Sequence, residues 1–92
     1  MWAFTRTQKL KRACSSGDLD TLDRLVAKSP QNLGKDVHSL MRTAGEGGHL
    51  PVIERLVSTG VVYAEDLLVA VGAAMSADRL DVAERVYDLT AA

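Results

Sequence analysis

The chain has one cysteine, Cys14, among 92 residues. An internal disulfide is therefore excluded, and the fold does not need an oxidising compartment. Aromatics make up only 4% of the residues. A core must then be assembled from Leu, Val, Ile, Ala and Met, which suits close-packed helices better than a β-sandwich. No apolar run reaches the roughly 18–20 residues of a membrane span. Trp2 and Phe4 precede the first bases with no apolar block behind them, the wrong order for a secretory signal. The expected location is cytoplasmic. His38 and His49 are the only histidines, and two histidines without a cysteine pair at ligand spacing make a poor metal site. No Ser–His–Asp order, carboxylate dyad or cofactor fingerprint stands out, so neither catalysis nor a cofactor is expected.

Charge is nearly balanced, at −1 overall, but unevenly placed. Residues 1–12 hold Arg6, Lys9, Lys11 and Arg12 and no acid; the remaining 80 hold 7 bases and 12 acids. The chain as a whole is no polycation seeking nucleic acid; binding of nucleic acid through the basic N-terminal arm is a lesser alternative.

What is present is a repeat. Ser16-Gly17-Asp18-Leu19-Asp20-Thr21-Leu22-Asp23-Arg24-Leu25-Val26 is echoed by Gly47-Gly48-His49-Leu50-Pro51-Val52-Ile53-Glu54-Arg55-Leu56-Val57. It is echoed again by Ala77-Asp78-Arg79-Leu80-Asp81-Val82-Ala83-Glu84-Arg85-Val86-Tyr87. Leu19 to Leu50 is 31 residues and Leu50 to Leu80 is 30, and Arg24, Arg55 and Arg85 keep the same offsets. Self-similarity at such a period points to stacked supersecondary units.

Each unit reads as two helices around a tight turn. Thr5 to Ser15 is a helix; Gly17 supplies the positive φ of a turn; Asp18 is a good N-cap type. The second helix carries Leu19, Leu22, Leu25 and Val26 on one stripe. Lys28 to Lys35 is a connector, with Ser29-Pro30 ending the helix. The next pair runs from Asp36, a plausible cap, to Gly45 and, after a turn at Glu46-Gly47-Gly48, through Leu50, Ile53, Leu56 and Val57. Pro51 sits in its first turn, where a missing N–H costs nothing. The third pair is Ala64 to Ser76 and a last helix showing Leu80, Ala83, Val86 and Tyr87. Between them Asp78 takes the turn glycine's place, since Asp tolerates left-handed backbone better than most residues. Leu19, Leu22, Leu25, Ile53, Leu56 and Leu80 are expected between layers.

The stretch Ala44-Gly45-Glu46-Gly47-Gly48-His49-Leu50-Pro51-Val52-Ile53-Glu54-Arg55-Leu56-Val57-Ser58-Thr59-Gly60 resembles the end of the inner helix, the glycine turn and the outer helix of an ankyrin repeat. Ala13, Ala44 and Ala74 fall at the first of that family's two packed small positions, and Cys14, Gly45 and Met75 at the second. The likeness covers about 80 residues. It implies an all-α solenoid of three stacked helix-turn-helix units, about 5–28, 36–59 and 64–89, in a single domain 1–92, with residues 1–4 opening the basic arm. The family's Thr-Pro-Leu-His motif is replaced by Gln8-Lys9-Leu10-Lys11, Ser39-Leu40-Met41-Arg42 and Val69-Ala70-Val71-Gly72. The units are also shorter than the usual repeat of about 33 residues. Reduced or absent β-hairpin loops follow. His49 stands where such repeats commonly brace their loops.

The resemblance implies a protein-binding module that touches partners through the turn rim and the inner-helix face. By position these are Lys11, Ser15, Ser16, Lys35 and Asp36, then His38, Arg42, Glu46, Ser76 and Ala77, with Lys11 and Arg42 as anchors. A stand-alone regulator or inhibitor that blocks or bridges a larger complex is the alternative. Three sharper readings fare worse. Cys14 as a nucleophile sits at a packed position, whereas reactive thiols need an exposed electropositive niche. Gly45-Glu46-Gly47-Gly48 lacks the Lys-Ser/Thr of a phosphate loop. A DNA-reading helix would present bases and amides, but Asp20, Asp23, Glu54, Asp81 and Glu84 would repel phosphates.

Leu67-Leu68-Val69-Ala70-Val71-Gly72-Ala73-Ala74-Met75 has no charge over nine residues. A helix apolar all round is a buried one, yet this one lies in the terminal unit, where a solenoid turns a polar cap to water. Its far side, near Leu68 and Gly72, is expected to be covered either by a partner or second copy, or by the last helix and the tail Leu89 to Ala92.

Overall fold

Short polar residues and glycines close several of the helix ends in this chain. The computed structural model describes residues 5–28 and 30–91. Among them are six α-helices, α1 (Arg6–Ser16), α2 (Leu19–Lys28), α3 (Val37–Gly47), α4 (Leu50–Ser58), α5 (Ala64–Ser76) and α6 (Leu80–Thr90), and no strand. The arm residues 1–4 lie outside the described residues. Thr5 opens α1 with a capping box: its hydroxyl accepts the Gln8 N–H at 3.2 Å while Gln8 Oε1 accepts the Thr5 N–H at 2.9 Å. Asp66 does the second half of that job for α5, accepting the Tyr63 N–H at 3.0 Å.

The three inner turns are closed by one device. Gly17, Gly48 and Asp78 all have left-handed backbone, with φ of 75°, 69° and 61°. The N–H of the next residue reaches back five positions in each case: Asp18 to Ala13 O at 2.9 Å, His49 to Ala44 O at 2.9 Å and Arg79 to Ala74 O at 2.7 Å. This is the six-to-one bond of a Schellman motif. The repeat seen in the letters is thus a repeat of backbone hydrogen bonding.

The helices pack in two rows. α3 lies against both α1 and α5, and α4 against both α2 and α6. The seam between them holds Leu10, Cys14, Leu22, Leu40, Met41, Ile53, Leu56, Ala70, Ala74 and Val86, all fully buried. Each aliphatic side chain so buried contributes about 1.5–3 kcal/mol. Close approach is local: a Cβ on Gly45 would stand 2.5 Å from the Ala70 carbonyl oxygen, so α3 and α5 touch backbone to backbone there.

Several expectations need correcting. The connector holds a 3-10 helix, Pro30–Lys35, and Leu33 from it, not among the residues expected between layers, plugs the core with no exposure. α3 continues through Glu46 and Gly47, leaving Gly48 alone as the left-handed residue. Leu80 and Tyr87 are 59% and 57% exposed, while Val52 and Val82 turn inward. Met75 is 57% exposed and is not packed as Cys14 and Gly45 are. Leu80, Tyr87 and Met75 all belong to the α5–α6 hairpin, the last one described.

Candidate functional site

The turn residues do more than reverse the chain. His49 folds back over the turn before it. Its Nε2 lies 2.8 Å from the Ser15 carbonyl oxygen, which can only accept, so Nε2 carries the proton. A Cβ on Gly17 would come within 2.8 Å of His49 Nδ1, and one on Gly47 within 2.6 Å of Cδ2. Arg79 does the same one unit later, its Cδ 3.0 Å from where a Gly48 Cβ would be. Each bare glycine receives the side chain that follows the next turn. Asp78, in the last turn described, carries a Cβ in the same left-handed backbone. Asp18, in the first turn described, caps its own helix, accepting from Thr21 N at 3.1 Å and Thr21 Oγ1 at 2.6 Å. The Thr21 hydroxyl, then its N–H, hold the Asp18 carboxyl below the usual carboxylate range. The turn rim is therefore a braced surface, with Ser15, Ser16, Glu46, Ser76 and Ala77 exposed along it.

On the inner-helix face, the 31- and 30-residue offsets align Thr7, His38 and Leu68, then Lys11, Arg42 and Gly72, then Ser15, Glu46 and Ser76. Between α3 and α5 these columns bound a groove of about 600 Å³, lined by Arg42, Glu46, Leu68, Val69, Gly72, Ala73, Ser76 and Ala77. Arg42, Glu46, Leu68 and Ser76, each singled out in the sequence, are brought together here, and Ala77 with them. Leu68 is 52% exposed. Gly72 is also open, with nothing within 4 Å of where a Cβ would stand. The last helix and tail do not cover this side of α5. Lys11, Ser15, Lys35 and His38 are exposed but do not line the groove; Ser16 lines a separate hollow with Lys9 and Thr21. Sequence reasoning misses Val69 and Ala73, although their four-residue spacing beside Gly72 and Ser76 places them on the same face.

Asp36 does not belong to this surface. It is buried to 8% exposure. Its Oδ1 accepts the Thr7 hydroxyl at 3.1 Å, and its Oδ2 lies 3.8 Å from Arg6 Nη1. It also makes no side-chain cap to α3. A carboxylate this far from water needs a cation, and the start of α1 supplies one. Asp36 thus ties the second unit to the first, as Asp23 and Arg55 do on the outer row.

A second groove, about 500 Å³, runs along the outer row between α4 and α6. It is lined by Leu50, Glu54, Asp81, Glu84, Arg85, Asp88 and Leu89. Among the described residues, no three His, Cys, Asp or Glu side chains are grouped to hold a metal ion. No helix there is long and apolar enough to cross a membrane.

Cys14 is fully buried, and burial pushes its thiol up to about 12. At pH 8 its thiolate fraction falls roughly a thousandfold below that of a free cysteine. A disulfide reagent should therefore modify the native chain at least that much more slowly than the urea-unfolded chain. Equal rates, followed by absorbance of the released thiol, would contradict this burial.

The chain matches no family model, no curated protein and no solved structure.

Proposed function

We propose that this chain is a non-catalytic protein-binding module, built as a short solenoid of three ankyrin-like hairpins with reduced loops. The observation that carries the reading is the α3–α5 groove. Its floor is apolar, from Val69, Ala73 and the exposed Leu68, and Gly72 leaves room for a partner's backbone to approach. Its rim offers one cation, Arg42, one carboxylate, Glu46, and the Ser76 hydroxyl. An apolar floor with few oriented polar groups is the usual make-up of a recognition site. The braced turns beside it leave little to order on binding, which lowers the entropic cost of association. A cytoplasmic setting fits a chain whose one thiol is buried and unpaired.

Gly72 permits a test in which stability and binding move in opposite directions. Gly72→Ala places a methyl in open space on a helix and should stabilise the fold by about 0.5–1 kcal/mol, while narrowing the groove. Gly72→Arg fills the groove outright, and Arg42→Glu reverses its cation. Affinity capture from native lysate should lose its partner with Gly72→Arg. With Arg42→Glu, capture should fall by roughly tenfold, as for a charge reversed at an interface. Melting temperatures measured in parallel should not drop. A partner retained by both variants means that the groove is not the binding surface.

A further inference from the structure

The repeat provides its own controls, because each column holds the same position in three settings. Cys14 and Gly45 are buried where Met75 is 57% exposed. Leu19 and Leu50 are half-buried where Leu80 is 59% exposed, and Val26 and Val57 are half-buried where Tyr87 is 57% exposed. In each column the last copy is the most exposed of the three yet stays large and apolar. These side chains form the α5–α6 end of the molecule.

The opposite end is built differently. Lys9 stands where Leu40 and Ala70 are fully buried, and half-buried Thr21 where Val52 and Val82 are buried. Two hollows open there. One, about 300 Å³, is lined in part by Lys9, Ala13 and Thr21; the other, about 270 Å³, by Thr21, Arg24, Leu25 and Lys28. Charge separates the two ends as well. Residues 5–28 hold six bases and three acids, and residues 64–91 hold two bases and six acids.

We propose that copies of this chain associate head to tail, the apolar, acidic α5–α6 end of one seated on the hollowed, basic α1–α2 end of the next. The chain already shows the contact in miniature. Asp23 of the first unit pairs with Arg55 of the second. In register, Glu84 holds the place of Asp23, and Arg24 the place of Arg55. Gly45 meets Ala70 across the α3–α5 seam, so Met75 meets Lys9 of the next copy and packs on its aliphatic stem. Tyr87 fills the hollow beside Leu25. A two-fold pairing of α5–α6 ends would set one net-acidic hairpin, with five exposed acids and two exposed bases, against its like, and like charges oppose it. The turn rim fits less closely, since Asp78 carries a Cβ and a charge where Gly17 and Gly48 are bare, and it would face Asp18. The contact is therefore centred on the helices. A heterologous contact of this kind leaves a free face on each partner of a pair, so it extends by addition to a ring or an open row. It uses neither wall of the α3–α5 groove and stands or falls independently of the binding role proposed for that groove.

Sedimentation velocity from about 10 µM to about 1 mM covers the range in which such weak interfaces populate. The wild-type mass should rise past a dimer with concentration, and less so in about 0.5 M salt, which shortens the screening length. Glu84→Arg and Arg24→Glu should each weaken association by about tenfold, and Met75→Ser with Tyr87→Ser by more than that. Glu84, Arg24, Met75 and Tyr87 are all exposed, so circular dichroism melts should stay at the wild-type temperature; Lys28→Glu serves if Arg24→Glu does not fold. An equimolar mixture of Glu84→Arg and Arg24→Glu should regain association past a dimer, because the two altered ends match each other and the two unaltered ends pair as in wild type. A wild-type chain that stays monomeric to about 1 mM overturns the proposal. So does an Arg24→Glu chain that associates like wild type, the mark of a two-fold contact between α5–α6 ends, or a mixture that recovers nothing.

Discussion

Replacing Gly45 by alanine should lower stability by about 2 kcal/mol, even though alanine is the better helix former. The new methyl would sit 2.5 Å from the Ala70 carbonyl oxygen and 3.2 Å from its Cα and carbonyl carbon. These are backbone atoms of a helix, and they cannot swing aside as the tip of a long side chain can. α3 and α5 would have to part, loosening the contact between the second and third hairpins. For a domain of this size about 2 kcal/mol is roughly 8–16 °C in Tm. Gly72→Ala, one unit on and in open space, should move Tm the other way. Two helical glycines with opposite signs would show that packing, not propensity, decides at Gly45. If both substitutions raise Tm, the close approach of α3 and α5 is wrong.

Leu40→Ala should cost about 2–5 kcal/mol, the range for removing a buried leucine and leaving a cavity. Leu40 is fully buried on α3, and α3 is the helix that touches both inner neighbours and α4. The space left cannot collapse from one side alone. Urea unfolding should show a lower midpoint with an unchanged slope, because the surface exposed on unfolding is nearly the same. Leu80→Ala makes the contrast. Leu80 is 59% exposed, and its loss should fall within about 0.5 kcal/mol of wild type. A comparable loss at both sites would mean that the last hairpin is covered in the folded chain.

The letters carry the local rules well. Ala64–Ser76 has the bounds its apolar run suggests, Asp78 is left-handed as a glycine substitute must be, and the three turn alanines accept equivalent bonds. These features depend on residues within five positions of one another, where side-chain size and backbone preference speak directly. What fails depends on neighbours distant in sequence. Leu80, Met75 and Tyr87 have the same pattern as their buried or half-buried counterparts, but pattern does not say how far each one is covered. Asp36 has the composition of a cap, and only the arrival of Arg6 and Thr7 from 29 or 30 residues earlier makes it a tie between units. Pro30 and Gly34 read as loop punctuation, while Leu33 between them finds the core. Of the groove, Arg42, Glu46, Leu68 and Ser76 are legible as an exposed face. That they converge, and that Val69 and Ala73 join them, needs the spacing of α3 from α5.

The hairpins reverse at one edge and are joined at the other, and the two edges tolerate editing very differently. The reversals at Gly17, Gly48 and Asp78 share one bonding scheme and, in the first two, a side chain lodged on bare backbone. An extra residue there would throw every later layer out of step. The joins are already unequal, Pro30–Lys35 being a helical turn and the stretch after Thr59 a few residues without one. Gly34 and Gly60 there have open space around them. An epitope or a fluorophore attachment loop grafted after Gly34 or Gly60 should leave the layers aligned, whereas the same graft beside Gly48 should not.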